Sequence, residues 1–287
     1  MYRKILCPVD FSPGSHHALQ LAASVARDDS AEIVVLHAWH MSPVVFGGGV
    51  AMPRDTMQYV VQDAERGLAD SARDVAQLGV KRVSTKLVNG VPWTEIVELA
   101  KHEGCDLVVM GTHGRSAIAR VLLGSVTEKV VRHAACSVMT IRPDAELPRF
   151  GHVLCPIDFS DSSRQAAEVA IDLATRHDGR VTLFHVIEVP TAIQGEPITM
   201  VGDLTTSANN ALDGWADELR RKATVPIDAR AEIGRAGSTL LGVIENDPTV
   251  TLVVVGSHGR TGIKRALLGS VAEKIVRHAT CPVLVAR

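Results

Sequence analysis

Apolar and polar residues follow two recurring patterns along this chain. Short runs rich in β-branched residues, such as Leu-Val-Val-Met at 107–110, are continuously apolar, which is typical of strands covered on both faces. Between these runs, apolar residues recur every three or four positions, as they do in amphipathic helices. The first half is therefore predicted to hold strands at residues 4–9, 32–39, 83–88, 106–110 and 138–141, and helices at 15–27, 56–78, 93–101 and 122–133.

The second half repeats this order. Its pattern predicts strands at residues 153–157, 180–187, 227–232, 251–255 and 283–286, and helices at 163–177, 205–223, 239–246 and 267–278. Strands and helices that alternate with short links predict an α/β fold, with a parallel doubly wound sheet flanked by helices in each half. Five strands per half fit a flavodoxin-like arrangement, although the pattern does not fix the order of the strands.

The two halves are also copies of each other in sequence. Residues 111–142 (GTHGRSAIARVLLGSVTEKVVRHAACSVMTIR) and 256–287 (GSHGRTGIKRALLGSVAEKIVRHATCPVLVAR) are identical at 20 of 32 positions. A short polar segment with two prolines, residues 143–148, lies between the halves. A chain of 287 residues has the length of two ordinary domains, so we predict one domain at residues 1–146 and a second at 147–287.

Two segments are too long for ordinary links between a strand and a helix. They are residues 40–55, which contain three consecutive glycines, and residues 188–204. Each follows the second strand of its half, at the sheet edge where doubly wound folds bind ligands. A lid over a ligand and a disordered surface insertion both explain such segments, and the sequence leaves the two alternatives open.

Composition narrows the classes of partner. The net charge is −2 and aromatic residues make up 3% of the chain, which argues against a nucleic-acid surface. No apolar run approaches the roughly 18 residues that would span a bilayer. Residues 1–10 enter a strand pattern rather than a secretory leader, so we expect a cytoplasmic protein without membrane insertion. The five cysteines form no Cys-x-x-Cys pair and are expected to be reduced structural thiols, with redox sensing or metal binding as the alternative.

A glycine-rich loop follows the fourth predicted strand of each half. The first copy runs Gly111-Thr-His-Gly114-Arg115 and continues to Gly124-Ser125, and the second copy places Gly256, Gly259, Arg260, Gly269 and Ser270 at the same spacing. Glycines let backbone N–H groups approach a phosphate, a helix that begins at the Gly-Ser pair attracts anions, and the arginine neutralises charge. The doubled pattern therefore predicts phosphate binding rather than simple turns, and it is neither a Walker loop nor a Rossmann dinucleotide loop.

Asp10 and Asp158 end the first predicted strand of their halves, at the same sheet edge as the glycine loops. A carboxylate there can accept hydrogen bonds from ribose hydroxyls or from an adenine amine. The alternative is that each aspartate caps the following helix, a role that Ser12 or Ser160 would also fill. Because a phosphate loop faces each aspartate, the sequence favours ligand contact.

His113 and His258, inside the two glycine loops, allow two interpretations. Each imidazole is either a catalytic base or a group that orders its loop through hydrogen bonds. No carboxylate stands at the spacing of a catalytic motif, and no His, Cys or Asp cluster has zinc-ligand spacing. The sequence therefore favours the ordering role, and we predict no catalytic residue and no metal-ligating residue.

At these residues the chain resembles the universal stress protein family in its tandem two-domain form. The ATP-binding subgroup of that family carries Gly-x2-Gly-x9-Gly-Ser/Thr, and both halves have this pattern intact. The strand endings Pro-Val-Asp10 and Pro-Ile-Asp158 and the helix starts Gly-Ser-Val-x-Glu-Lys are similar to the family too. The resemblance spans nearly the whole chain, and it implies a fold of the adenine nucleotide alpha hydrolase type in each half.

The resemblance implies contacts to an adenine nucleotide at matching positions of the two halves. In the first half these are Val9, Asp10 and Ala38 for adenine and ribose, Met110 beside the nucleotide, and Gly111, Gly114, Gly124, Ser125 and Val126 for the phosphates. In the second half they are Ile157, Asp158, Val186, Val255, Gly256, Gly259, Gly269, Ser270 and Val271. Val255 replaces Met110, and the second half lacks a counterpart of Pro92, so equal affinity of the two sites does not follow.

The function that the resemblance implies is binding of ATP, ADP or AMP by a switch or adaptor in the stress response. Mg²⁺ or Mn²⁺ would join through the phosphates rather than through protein ligands. A slow ATPase or adenylate-handling enzyme that uses the loop histidines is one alternative, and a nucleotide-free module that binds a protein partner is another. The family commonly pairs domains through the last strand, so residues 137–141 and 282–286 are expected to pair within the chain, with a further homodimer left open.

Overall fold

The computed structural model describes residues 2–40, 54–113, 123–189, 198–259 and 268–287. The chain divides into two compact units, Met1–Pro143 and Asp144–Arg287, which we call domain 1 and domain 2. The division falls inside the proline-containing segment 143–148. Each unit is an α/β domain with a parallel five-stranded sheet, which confirms the predicted fold class.

Domain 1 alternates strands and helices along the whole described part of the unit. Its elements are β1 (Lys4–Pro8), α1 (Pro13–Asp29), β2 (Glu32–Trp39), α2 (Arg54–Gln77), β3 (Arg82–Asn89), α3 (Pro92–His102), β4 (Leu107–Gly111), α4 (Ser125–His133) and β5 (Ser137–Ile141). The strands lie in the order β3-β2-β1-β4-β5 and all neighbouring pairs are parallel.

Domain 2 repeats this architecture. Its elements are β6 (His152–Pro156), α5 (Asp161–Arg176), β7 (Arg180–Ile187), α6 (Ile198–Arg220), β8 (Ile227–Ile233), α7 (Ala236–Asn246), β9 (Leu252–Gly256), α8 (Ser270–His278) and β10 (Val283–Ala286). The order β8-β7-β6-β9-β10 is the same as in domain 1, again with parallel pairing.

The strand order places a crevice at the carboxyl ends of the two central strands. From β1 the chain winds outward through β2 and β3, and it then returns to the other side of β1 for β4 and β5. The connections therefore leave β1 and β4 in opposite directions, which opens the switch point where such sheets bind ligands. The order 3-2-1-4-5 differs from the flavodoxin order 2-1-3-4-5 only in the place of the third strand.

The core lies on both faces of each sheet. Leu107, Val108 and Val109 of β4 are fully buried, as are Leu252, Val253 and Val254 of β9. Burial of each such side chain stabilises the fold by about 1.5–3 kcal/mol. The facing side of α1 carries alanines such as Ala18 and Ala22, which are also fully buried and let the helix lie close to the sheet. This packing holds the strand ends in place and so fixes the rim of the crevice.

All eight helices of the described residues begin at other positions than the sequence pattern predicts, and four of them (α4, α6, α7 and α8) differ by three residues or more. Helix α6 begins at Ile198, not at residue 205, because Thr205 donates its hydroxyl to the Val201 carbonyl at 2.8 Å and is accommodated inside the helix. Helices α4 and α8 begin at Ser125 and Ser270, later than predicted, because Gly124 and Gly269 stand as N-caps with extended backbone. The ends of the two long predicted loops belong to α2, which begins at Arg54, and to α6, which begins at Ile198. Residues 41–53 and 190–197 of these loops lie outside the described residues.

A cluster of charged side chains joins the amino-terminal starts of the strands in domain 1. Lys4 Nζ lies 2.7 Å from Glu103 Oε2 and 4.0 Å from Glu32, and Lys86 Nζ lies 2.9 Å from Glu103 Oε1. The hydrogen bonds from Lys4 and Lys86 lower the pKa of Glu103 to about 2, and the bond to Glu103 raises the pKa of Lys4. We call this group the lysine cluster.

The equivalent positions of domain 2 hold different chemistry, which we call the histidine cluster. Its members are His152, Arg180, Thr182, Asp247 and Thr249. The buried His152 places Nδ1 at 2.9 Å from Thr249 Oγ1 and 3.2 Å from Arg180 Nη2, and Nε2 at 2.8 Å from Thr182 Oγ1. Thr249 donates to Asp247 at 2.5 Å. Burial, and then the guanidinium of Arg180, lower the pKa of His152.

The cysteines are free thiols, and Cys7, Cys105 and Cys155 are buried. Burial raises the pKa of Cys105 and of Cys281 to about 12 and raises the pKa of the other two buried thiols as well. These thiols therefore stay protonated at neutral pH. Among the helices of the described residues, none has the length and apolar composition needed to cross a membrane.

Candidate functional site

A cavity of about 370 Å³ opens at the carboxyl edge of the domain 1 sheet. It lies at the switch point between β1 and β4. The residues singled out from the sequence come together in its wall, namely Val9, Asp10, Ala38, Met110, Gly111, Gly124, Ser125 and Val126. Gly114 and Arg115, which were predicted to belong to the same site, lie outside the described residues.

Domain 2 has a cavity of about 180 Å³ at the same place. Its wall contains all the predicted residues of the second half except one, namely Ile157, Asp158, Val186, Val255, Gly256, Gly259, Gly269, Ser270 and Val271. The exception is Arg260, which lies outside the described residues. The two sets of residues therefore gather in two separate cavities, one in each domain.

Asp10 and Asp158 stabilise the turns that lead into the first helix of their domains. Asp10 Oδ1 accepts hydrogen bonds from Ser12 N at 3.1 Å and from Ser12 Oγ at 2.5 Å, and Asp158 binds Ser160 at the same distances. Ser12 and Ser160 are the actual N-caps, since each accepts a bond from the backbone N–H three residues on, at 3.2 Å. The capping role belongs to the serines, and each aspartate holds its capping serine through Oδ1.

The second carboxylate oxygen of Asp158 faces the glycine loop. Asp158 Oδ2 would lie 2.9 Å from a Cβ atom added to Gly259. Any side chain at Gly259 would therefore meet the carboxylate. The strand end and the glycine loop form opposite sides of one narrow cavity, as the sequence predicted from the position of the aspartate.

A histidine on the second strand of each domain orders the aspartate turn. His37 Nδ1 lies 2.7 Å from the Val9 carbonyl, and its ring stacks on Phe11 with 4.5 Å between centroids. Phe11 has a left-handed backbone with φ of 61°, an uncommon conformation for a bulky residue. Domain 2 repeats the arrangement with His185, which bonds to the Ile157 carbonyl at 2.7 Å, and with Phe159, whose φ is 64°.

The first glycine of each loop is required by the fold itself. A Cβ atom on Gly111 would lie 2.8 Å from the Gly14 carbonyl oxygen, and one on Gly256 would lie 2.6 Å from Ser162 Oγ. The end of β4 or β9 thus touches the first turn of α1 or α5. These contacts involve protein atoms alone, so Gly111 and Gly256 serve packing whether or not a ligand is bound.

The last glycine of the loop has more room, above all in domain 2. A Cβ atom on Gly269 would find its nearest neighbour, Gly259 N, at 3.7 Å, which is ordinary contact, whereas one on Gly124 would lie 3.1 Å from the Thr112 carbonyl. The fold therefore does not demand a glycine at 269. Because this residue lines the cavity, the space that it leaves is available to a ligand.

The helices that begin at the cavity differ in how their first turns are satisfied. Helix α1 has the Ser12 hydroxyl as its cap, but the N-caps of α4 and α8 are Gly124 and Gly269, which have no side chain to offer. The first N–H groups of a helix need partners outside the helix, and together with the helix dipole they favour an anion. Ser125 and Ser270 are exposed at these termini.

The loop histidines also line the cavities and are held by their neighbours. His113 Nδ1 lies 2.8 Å from Thr112 Oγ1, and His258 Nδ1 lies 2.8 Å from Ser257 Oγ. A hydroxyl rather than a carboxylate thus orients each ring. This arrangement favours the role of ordering the loop over that of a catalytic base.

Sequence comparison agrees with this doubled architecture. The model of the universal stress protein family matches residues 1–142 and matches again at residues 149–287. The chain belongs to the universal stress protein family. A universal stress protein of Mycolicibacterium smegmatis is 30% identical, and the match covers 99% of this chain and 96% of that protein. Another, from Mycobacterium tuberculosis, is 35% identical over 71% of this chain and 69% of its own.

Solved structures show the same fold. A universal stress protein from Archaeoglobus fulgidus superposes with a TM-score of 0.75 at 22% identity, with 99% of this chain and 98% of that one covered. A putative universal stress protein from Pseudomonas aeruginosa superposes with a TM-score of 0.66 at 18% identity, over 99% and 93% of the two chains. The doubly wound domain is thus the fold of this family in its tandem form.

Several residues in the walls of these universal stress protein cavities were missed by the sequence analysis. They are Ser15, Leu36, His37 and Thr127 in domain 1 and Ser163, Phe184, His185 and Leu240 in domain 2. His37 and His185 could have been identified from the sequence, because Leu-His-Ala at 36–38 matches Phe-His-Val at 184–186 once the halves are aligned. Thr127 carried none, since its bond to the Gly111 carbonyl at 2.8 Å depends on the fold.

Proposed function

We propose that the two domains bind adenine nucleotides (ATP, ADP or AMP) at these cavities, with the phosphates on the first turn of α4 or α8. One observation carries the proposal. Three helices begin at the wall of each cavity. Helix α1 or α5 has a serine cap and helix α3 or α7 begins at Pro92 or Ala236, whereas α4 or α8 follows a glycine cap and places its exposed first serine at the cavity. A phosphate oxygen is the partner that suits such a terminus.

The opposite side of each cavity suits a nucleoside. Asp10 and Asp158 hold the capping serines and also line the cavities, where a carboxylate can accept hydrogen bonds from ribose hydroxyls. Apolar side chains, among them Val9 and Met110, line the rest of the wall in domain 1. An apolar wall with a few convergent polar groups is the usual lining of a small-molecule site.

Mg²⁺ or Mn²⁺ is expected to accompany the phosphates. Within the described residues, no group of three or more His, Cys, Asp or Glu side chains could hold a metal ion. Mg²⁺ commonly binds nucleotides through phosphate oxygens and water with few protein ligands, so the proposal does not require such a group. We infer that the metal would enter with the nucleotide.

We propose that nucleotide occupancy serves as a switch or adaptor signal in the cytoplasm. Binding, rather than turnover, is supported by the hydroxyls of Thr112 and Ser257, which lie at Nδ1 of His113 and His258. Slow ATP hydrolysis is the second candidate, since His113 and His258 line the cavities. Phosphate release that persists unchanged when both histidines are replaced by alanine would exclude hydrolysis by these residues.

The phosphate position can be tested by placing a competing charge on it. Ser125→Asp combined with Ser270→Asp puts a carboxylate at the first position of α4 and α8, where acidic residues stabilise a helix by about 0.3–1 kcal/mol. The fold should therefore persist, while the affinity for ATP should fall at least about tenfold through repulsion and occupation of the terminus. Isothermal titration calorimetry on nucleotide-free protein, with ATP and MgCl₂, measures the change.

The matched control is Ser125→Ala with Ser270→Ala, which removes the hydroxyls without adding charge. It should cost about one hydrogen bond per site, or a few-fold in affinity. Mass spectrometry of the small molecules released from untreated protein identifies the ligand. The proposal fails if no adenine nucleotide co-purifies and none binds at millimolar concentration, or if the double aspartate variant binds ATP as tightly as the unmodified protein.

A further inference from the structure

We propose that domain 1 is the tighter ATP site of the two, and that the side chains at positions 38 and 186 determine this difference. The inference rests on the proposed function and adds a specificity to it. The two cavities are alike where the phosphates would lie and unlike where the nucleoside would lie. ATP would therefore distinguish the domains, whereas a phosphate ligand without a base would not.

The phosphate ends of the two cavities match closely. The N-caps Gly124 and Gly269 have φ, ψ of −59°, 137° and −61°, 144°. Their N–H groups bond to the Thr112 and Ser257 carbonyls at 2.7 and 3.0 Å. Each is followed by an exposed serine and a valine at the cavity wall. A bare phosphate compound would meet the same groups in either domain.

Three wall positions at or next to the first two strands carry more bulk in domain 2. Strand β1 pairs with β2 in the register that places Pro8 beside Leu36, and β6 pairs with β7 with Pro156 beside Phe184. Equivalent wall positions can therefore be compared directly. Domain 2 carries the larger side chain at each of three of them, with Ile157 for Val9, Phe184 for Leu36 and Val186 for Ala38.

Three wall positions change in the opposite direction. One is Trp39, whose counterpart is Ile187, since each accepts a backbone bond from the glycine that follows the third strand. The other two lie on β4 and α4. Val255 stands for Met110 and Ala272 for Thr127, so these positions alone would make the domain 2 cavity the larger one. The cavity of domain 2 is nevertheless about 180 Å³ against about 370 Å³ in domain 1. The volumes therefore differ in the direction of the changes at positions 157, 184 and 186.

A carboxylate adds to the difference at the start of the third helix. Glu188 Oε1 accepts a hydrogen bond from Ala236 N at 2.8 Å, and Ala236 lines the cavity of domain 2. The equivalent wall residue of domain 1 is Pro92, which has no N–H group to hold an acid there. A carboxylate is therefore held beside the domain 2 cavity at this position, and not beside Pro92 in domain 1.

Positions 38 and 186 are the best place to test this difference. Both residues are half-buried, whereas Phe184 is 1% exposed and Leu36 is fully buried, so changing the latter pair would disturb the core. Ala38 and Val186 occupy equivalent places near the ends of β2 and β7. Valine suits a strand, so Ala38→Val should leave the fold of domain 1 intact.

The experiment is a calorimetric titration of nucleotide-free full-length protein with ATP and MgCl₂. We expect one tight site and a second site at least about tenfold weaker, since a methyl group or two in a pocket changes affinity by roughly 10–200-fold. Ala38→Val should weaken the tight site about tenfold, and Val186→Ala should tighten the weak one several-fold. The two changes together should reverse the order. Ser125→Asp should remove the tight site and Ser270→Asp the weak one.

Pyrophosphate is the base-free probe, and it should bind the two domains with equal affinity in the unmodified protein and in the variants at positions 38 and 186. Thermal midpoints of each variant control for folding. Two equal ATP sites in the unmodified protein, or an unchanged order after the exchange at 38 and 186, would overturn the inference and leave the proposed function standing. Absence of both ATP and pyrophosphate binding would instead contradict the proposed function itself.

Discussion

The two domains have nearly the same turns and glycine contacts at the carboxyl edge of their sheets, and they have different polar clusters at the amino edge. At the carboxyl edge, Asp10 and Asp158 bind their capping serines with the same distances, and the same glycines pack against the first turn of a helix. At the amino edge, the lysine cluster of domain 1 is replaced by the histidine cluster of domain 2. The register shows the replacement directly, since Lys4 lies beside Glu32 and His152 beside Arg180.

This difference shows which parts of the architecture tolerate a change of chemistry. The amino edge needs only a mutually satisfied set of polar groups, and ion pairs or a histidine bonded to threonines both provide one. The carboxyl edge combines a tight turn, a cap and a close approach of two backbones in the same few residues. A different residue there would disturb several contacts at once, whereas at the amino edge it disturbs one cluster.

The largest expected effect tests whether the carboxyl edges of the two domains require their first loop glycine equally. Gly111→Ala and Gly256→Ala would each force a Cβ atom to within 2.8 Å of helix-turn atoms, so each should destabilise its domain by about 2–3 kcal/mol. Gly269→Ala, which finds no atom within 3.7 Å, is the matched control and should cost at most about 1 kcal/mol. Urea unfolding followed by circular dichroism measures these values. If one domain accepted the alanine without a loss in its free energy of unfolding, the two carboxyl edges would not have the same packing requirement.

A smaller effect is expected from the capping serines. Ser12→Ala and Ser160→Ala each remove a cap and leave the neighbouring aspartate without its partner hydroxyl, so each should cost about 1–2 kcal/mol. The same unfolding measurement applies, with Ser12→Asn and Ser160→Asn as capping-competent controls. Equal losses in the two domains would sharpen the comparison, and a loss in one domain only would contradict it.

The smallest effect concerns pH and should appear in domain 2 alone. The pKa of folded His152 lies below the value of 6.5 for a free imidazole, so the unfolded chain takes up a proton first as the pH falls. The contribution of His152 to stability is therefore complete above pH 6.5 and is lost below it, as the pH falls through the folded pKa. Arg180 and Arg230 oppose protonation, and Asp228 and Asp247 favour it. One proton limits the slope to about 1.4 kcal/mol per pH unit.

Hydrogen exchange measured at pH 7.5 and pH 5.5, corrected for the intrinsic rate, resolves the two domains. Peptides from β6 and β7 should lose protection at the lower pH, and peptides from β1 and β2 should not. In domain 1 the pKa of Glu103, about 2, preserves its contribution until the pH falls below 4.5. His152→Gln should abolish the effect in domain 2. Equal acid sensitivity of the two domains would show that the clusters do not govern it.

Much of the fold and of the candidate site could be predicted from the sequence, because the strand–helix pattern and the glycine loop each occur in two copies. Buried parallel strands have an apolar composition of their own, and the alignment of two glycine loops distinguished a site from ordinary turns. The capping role of Ser12 was open, because Asp10 and Ser12 are both good caps and only the backbone geometry separates them. The start of α6 was wrong by several residues, because Thr205 bonds back into the helix instead of ending it.

The structural role of His37 and Phe11 was not accessible at all. A left-handed phenylalanine contradicts local preference and is stable only because a ring from another strand stacks on it. The differences between the two cavities were equally hidden, since the side chains that narrow domain 2 lie on strands whose apolar residues look interchangeable in sequence. Volume inside a cavity depends on which side chains share a wall, and that depends on the register of the sheet.

The stacked phenylalanine also connects each cavity to a distant helix. A Cβ atom on Gly67 of α2 would lie 2.7 Å from the ring of Phe11, and Phe159 meets Trp215 of α6 edge-on with 5.4 Å between centroids. In domain 1 the ring is thus wedged between the aspartate turn and the bare backbone of a helix. This contact leaves no free space between the Phe11 ring and the backbone of α2. A shift of α2 toward the sheet would therefore press on Phe11 and, through the adjoining peptide, on Asp10. In domain 2 the ring of Phe159 meets the side chain of Trp215, and a side chain can change its rotamer to absorb part of such a shift.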